Sequence, residues 1–258
     1  MKLLHAIIFS ALASVALWGA ADPSPEPPGG VSPAEIVDRY VKAVQAEQAR
    51  PQAVSMDVDM DASLPRLKKE GRFHAFRFIT RVGQIFYQRV QFQGDSTIKK
   101  EVIARYLQAE KDARNNVAGS IGITPENYNF KYKGTTDYAG RTAYVFQVNP
   151  RKKKIGLYKG ELWIDRETHL PLREWGELVK SPSVFLKNVY FVRDYMIYNG
   201  ISVPRRVISD VNTRIAGKAK LTIWYENVKV GEPSGVAAED VAGAAFATTV
   251  LTGTGGGH

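Results

Sequence analysis

The sequence predicts an α+β protein: one large, curved antiparallel sheet of about nine to eleven strands, with two or three helices over its concave face. Three observations predict it. Apolar and polar residues alternate with period two through most of the chain beyond residue 50. The breaks between these runs are about two to five residues long, too short for crossover helices, so neighbouring strands must run antiparallel. Two segments instead carry apolar stripes at 3.6-residue spacing. A twisted sheet of that size has to curl, and the two stripes then have a concave face to bury against.

The first helix starts at Ser32, an N-cap, with Pro33 in the first turn and Glu35 completing a capping box. Ile36, Val37, Tyr40, Val41 and Val44 form its stripe. After Pro51 the period becomes two: Val54, Met56, Val58 and Met60 alternate with Ser55, Asp57, Asp59 and Asp61. Residues 71–80 and 84–93, rich in aromatic and β-branched side chains, read as two more strands, ended by Gly94-Asp95. The second helix is expected over 96–112, where Ile98, Val102, Ile103, Tyr106 and Leu107 share a face. Residues 113–126 read as a loop. A meander follows, with strands at 128–132, 144–148, 160–165, 170–175, 184–198, 201–214 and 218–229. Turns are signalled at residues 137–140, at Asn199-Gly200 and at Ala216-Gly217; Asn-Gly suits a tight hairpin because both residues tolerate positive φ.

The ends are read as follows. Residues 1–21 have an early Lys2, an apolar run of about 14 residues and small residues Gly19, Ala20 and Ala21. This is the pattern of a secretory signal peptide cut after Ala21, and the run falls short of the roughly 20 residues of a spanning helix. Residues 22–31 are a proline-rich linker, 32–230 the folded domain, and 231–258 a Gly/Ala/Thr-rich tail in which 236–247 could form a weak helix. The expected location is the periplasm.

Composition excludes several chemistries. The chain has no cysteine, which rules out disulfide scaffolds, thiolate metal sites, Cys nucleophiles and lipidation at an N-terminal cysteine. The formal charge is +9, one less once the leader is gone because only Lys2 leaves with it. Positive charge favours acidic partners. Export leaves an anionic membrane surface or an envelope protein as the partner and excludes nucleic acid.

The stretch 160–173 (Gly-Glu-Leu-Trp-Ile-Asp-Arg-Glu-Thr-His-Leu-Pro-Leu-Arg) resembles the Trp-Ile-Asp hairpin of the bacterial lipoprotein-carrier superfamily, the LolA/LolB-like outer-membrane lipoprotein-sorting proteins related to the RseB/MucB sensor domain. Val203-Pro204, the closing stretch 221–228 and the opening helix 34–43 are similar to the same pattern, so the resemblance spans about residues 32–229. It implies an unclosed half-barrel with helical lids over an apolar cavity for acyl chains, no catalytic residues and no cofactor. The hairpin itself marks a turn: Asp165 and Thr168 can bond local backbone, and Pro171 suits a strand start.

Candidate sites follow from the residues. Met56, Val58, Met60, Phe76, Phe78, Phe86, Phe92, Tyr144, Phe146, Leu162 and Ile164 are candidates for the lining of an apolar cavity on the concave face. Their simpler reading is core beneath the helices, since a cavity differs from a core only in volume. Arg151, Lys152, Lys153 and Lys154 are the densest basic cluster, read either as a solvated loop or as a contact for an anionic membrane or acidic partner. His74 is expected to be a half-buried sheet residue and His169 a solvated turn residue, too far apart in the chain's elements to make a metal site or an acid–base pair. Asp57, Asp59 and Asp61 share a strand face, but Ala62 and Lys68 stand where a calcium loop needs Gly and Glu. No nucleophile elbow or phosphate loop is present, so a hydrolase is a remote reading. The expected function is an exported, non-enzymatic binding protein holding an acyl chain or lipoprotein for envelope trafficking. The alternative is a sensor or interaction module of the same fold that binds a protein partner.

Overall fold

Helix α1 (Pro33–Gln48) begins where the sequence places it: the Ser32 hydroxyl accepts the Glu35 amide at 3.2 Å, leaving fewer amides without partners at the helix start. Ile36, Val37 and Tyr40 are its buried face. Each such side chain contributes roughly 1.5–3 kcal/mol by leaving water. The computed structural model describes residues 27–50, 52–115, 121–182, 186–214 and 216–231, with backbone alone for 111–115. The stretch 1–21 expected as a leader, most of the expected linker and the Ala-rich stretch 236–247 lie outside the described residues.

The strands are β1 (Val54–Leu64), β2 (Lys69–Ile79), β3 (Ile85–Gly94), β4 (Tyr128–Tyr138), β5 (Arg141–Pro150), β6 (Tyr158–Asp165), β7 (Pro171–Leu178), β8 (Leu186–Tyr198), β9 (Ile201–Thr213) and β10 (Lys218–Val230). They make one ten-stranded sheet in the order β3-β2-β1-β10-β9-β8-β7-β6-β5-β4. Every pairing given for it is antiparallel. The sheet is an unclosed half-barrel: β3 and β4 are its two edges. The expected hairpin turns hold, with Ala139-Gly140 and Asn199-Gly200 at positive φ, the twist that two-residue connections need.

Between the edges runs α2 (Ser96–Ile98), a π-helical segment (Lys99–Ile103) and α3 (Ala104–Asn115). The π segment widens the turn, which lets Ile98 and Ile103, five residues apart, both point into the core at 0% exposure. Gly71 leaves room for them: a Cβ there would sit 2.8 Å from Ile98 and 2.9 Å from Phe92.

Two separate cores result. Beneath the π segment and α3, Met56, Val58, Met60, Phe73, Ile98, Ile103 and Ile223 pack together. Beneath α1, Ile36, Tyr40, Phe146, Leu157, Leu162 and Ile164 do so. In the β6–β7 pair Gly160 faces Gly176. A Cβ on Gly160 would lie 1.9 Å from the Trp175 carbonyl oxygen, so only glycine admits the approach.

Candidate functional site

The space between the two cores is where the concave face departs from an apolar lining. Arg77 takes an inward place on β2, between Ala75 and Ile79 in the alternation, and is 2% exposed. Its Nη2 donates to Glu110 Oε1 of α3 at 2.5 Å, and the Tyr87 hydroxyl of β3 donates to Oε2 at 2.8 Å. Its Nη1 lies 3.7 Å from Met56 Sδ, and its guanidinium carbon sits 5.4 Å from the Tyr225 ring centroid. Burial pulls against the charge on Arg77, but Tyr87 and Glu110 outweigh it and keep the guanidinium protonated.

A second cluster lies across the seam. Glu174 of β7 is buried; its Oε2 accepts Arg193 Nη1 at 3.3 Å and its Oε1 accepts the Tyr195 hydroxyl at 3.1 Å. Arg193 also lies 4.6 Å from the Phe191 ring. Tyr106 of α3, Tyr158 of β6 and Tyr195 all face its charge. Tyr40 of α1 sits beside Glu174 and Tyr195, and burial, then Glu174, pushes its phenol well above the ordinary range. Tyr128 is pushed up to about 12, chiefly by burial. Tyr106 and Tyr225 are hydrogen-bonded to each other, linking this cluster to the one round Arg77. Both helices thus place tyrosines on one polar seam that crosses the concave face.

One member is not packed away. Arg193 keeps 45% of its side-chain surface open although groups from α3, β6, β7 and β8 surround it. Arg77, by contrast, is shut off from solvent by packed protein.

The apolar candidates divide. Met56, Val58, Met60 and Phe92 belong to or pack on the core under the π segment and α3, and Tyr144, Phe146, Leu162 and Ile164 belong to the core under α1. Phe76, Phe78 and Phe86 belong to neither core, although Phe78 is only 5% exposed. Phe73, Ala75 and Arg77 take the inward positions of β2, and Phe86 sits opposite Phe78 just as Tyr87 sits opposite Arg77. Where apolar side chains occur on both faces, period two does not say which face is inside.

The other candidates are placed on the surface. Arg151, Lys152, Lys153 and Lys154 are exposed between β5 and β6, with Arg151 Nε donating to the Pro125 carbonyl at 2.7 Å. Asp57 accepts from Asn227, Asp59 meets His74 at 2.8 Å, and Asp61 pairs with Arg72 at 3.3 Å. His74 stands on the outer face with 46% of its side chain accessible, half-buried as expected. His169 is part-buried and not solvated: its φ is 59°, and burial, then Arg39, lowers its pKa. The hairpin turn is built as expected, with the Thr168 amide and hydroxyl on Asp165 Oδ2 at 2.8 and 2.7 Å.

The outer face carries a groove of about 570 Å³ whose lining includes Lys133, Glu161, Trp175, Glu177 and Tyr190. Trp163 and Trp175 both donate their indole N–H to Glu161 Oε2 at 3.0 Å. Beside it Asp194, 2% exposed, accepts Arg173 at 3.0 Å and Arg206 at 2.8 Å.

Residues that sequence reasoning missed are Arg77, Glu110, Glu174, Arg193 and the tyrosines round them. The signal was present: a charged residue at an inward register, as in Phe73-x-Ala75-x-Arg77 or Leu172-x-Glu174.

Residues 88–191 match the family model of the MucB/RseB N-terminal domain, a segment that contains the 160–173 hairpin on which the family resemblance rests. No curated protein sequence matches the chain. Among solved structures, it is similar to a DUF1329 family protein from Desulfovibrio piger, at a TM-score of 0.38 and 12% identity over 79% of this chain and 94% of that one. It is similar to a putative outer membrane lipoprotein-sorting protein domain from Vibrio parahaemolyticus, at 0.35 and 12% over 84% and 98%. It is also similar to a chain in the Pseudomonas aeruginosa MucA/MucB complex, at 0.25 and 16% over 81% and 97%.

Proposed function

We propose that this chain is a non-enzymatic binding module of the bacterial envelope, exported to the periplasm by its leader, that holds an acyl chain or an acylated protein between its helices and the concave face of its sheet. The observation that carries the reading is the open surface of Arg193, enclosed by strands and by α3 yet 45% accessible. Solvent reaches this charge although both cores are packed on either side of it. The match of residues 88–191 to the MucB/RseB model supports a binding role, and the apolar walls on either side suit a hydrocarbon chain. Mass spectrometry of lipids retained by the protein purified from native envelope is expected to find acyl species above those on a control protein. None above the control overturns the reading.

A second reading, a module that binds an envelope protein, is favoured by the outer groove, where Trp175 and Tyr190 are 41% and 45% exposed. Exposed aromatics of this kind anchor protein interfaces. The basic loop 151–154 offers an acidic partner or an anionic membrane its positive charge. Partner recovery that is indifferent both to Trp175→Ala and to charge reversal of the loop removes this reading.

A further inference from the structure

The seam on the concave face has hydrogen-bond donors left over. Glu174 has both carboxylate oxygens engaged, one by Arg193 and one by Tyr195. Glu110 likewise has both engaged, by Arg77 and Tyr87. The unmet groups are donors. A guanidinium presents a fork of N–H groups; Arg193 uses part of it on Glu174 and Tyr195 and leaves 45% of its side chain open. Tyr158, 2% exposed, has a hydroxyl with no partner. A buried donor without an acceptor carries a desolvation cost, and Tyr158 and Arg193 both stand on the inner face.

The ligand that meets unmatched donors is rich in acceptors. The walls add the second requirement: the Phe191 ring lies 4.6 Å from Arg193 and 4.9 Å from the Tyr158 ring, edge on, and the two apolar cores flank the seam. We infer that the seam is a head-group site for an anionic amphiphile, a fatty-acid carboxylate or a lipid phosphate, with Arg193 as its ion partner and the Tyr158 hydroxyl as a hydrogen-bond donor. This rests on the chain-binding reading above and adds the chemical class of the head group. A neutral chain end would leave the donors unmet, and a cation would face Arg193.

The test is calorimetric titration of the full chain with palmitate, 1-palmitoyl lysophosphatidate and methyl palmitate. The expected result is that one or both anions bind about tenfold or more tightly than the ester, the range of one charge-assisted contact; the preferred anion tells carboxylate from phosphate. Arg193→Gln is expected to abolish the preference. Tyr158→Phe removes a hydroxyl with no partner in the fold, so its melting temperature is expected to hold while anion affinity falls several-fold. This variant carries the test should Arg193→Gln fail to fold. Equal binding of acid, phosphate and ester overturns the head-group site and leaves the chain-binding reading standing. So does a preference unchanged in both variants. Binding of none of the three overturns both.

Discussion

Glu110 accepts from two donors inside the half-barrel, the Arg77 guanidinium and the Tyr87 hydroxyl. Losing a partner from a buried ion pair costs about 3–5 kcal/mol because the remaining charge is stranded. Glu110→Gln is therefore expected to lower the unfolding free energy by roughly that amount in urea denaturation. Arg77→Met with Glu110→Met together should cost much less, since no charge is left over. Two other groups set the response to acid. His169 has its pKa lowered, by burial and then Arg39, so the unfolded chain takes up a proton first, near pH 6.5. Stability is full above that pH and falls as pH drops through it. For Asp165 burial works upward, but the hydrogen bonds from Arg141 and Thr168 outweigh it and lower the pKa. Its contribution is intact above the ordinary carboxylate value of about 3.9 and is lost only below it. Urea midpoints are expected to decline in two steps, and His169→Asn, which suits the left-handed backbone there, is expected to remove the first step alone. At this scale the sequence was half legible. The Asp165–Thr168 turn and the Ser32 cap depend on neighbours in the chain and could be read there. The Arg77–Glu110 pair joins residues 33 positions apart, which no local spacing shows.

The elements themselves were largely readable, because each is specified by its own periodicity: the α1 stripe, the second helix and the meander all stand where the pattern puts them. In β2 and β3 the pattern gives the strands but not their inward side. Apolar residues occur on both faces of these strands, and a register shift between His74 and Phe76 in their pairing changes which residues stand opposite each other. The inward side was then decided by a partner on α3. The β6–β7 hairpin shows the opposite case, an element whose shape depends on two residues without side chains. Gly160→Ala places a methyl group against the Trp175 carbonyl at 1.9 Å, and backbone on both sides leaves it no flexible neighbour to displace. The variant is expected to lose well over the about 1 kcal/mol of ordinary glycine changes, and to show faster amide exchange across 158–165 and 171–178 than a Gly122→Ala control, where a Cβ would meet only the Thr124 methyl at 3.5 Å.

For the whole molecule, short connections and paired turns made an antiparallel, curled sheet readable in advance. Neither the closing of β10 onto β1 nor the division into two cores could be read, because both depend on contacts between the ends of the chain and on which helix covers which strands. That division is what leaves the polar seam. It also makes α1 and α3 separate covers with their own tethers, Glu47 to the Ser202 amide at 2.6 Å for the first and Glu110 to Arg77 for the second.

The β1–β10 junction has a mechanical side. Val54 at the start of β1 lies opposite Val230 at the end of β10, and the Gly231 amide meets the Ala53 carbonyl at 2.9 Å just beyond. Tension applied between those two points loads this ladder from its end, one pair of hydrogen bonds after another, instead of shearing all of them together. Drawn apart there, the half-barrel would peel like a zip along the one ladder that joins its first three strands to its last seven.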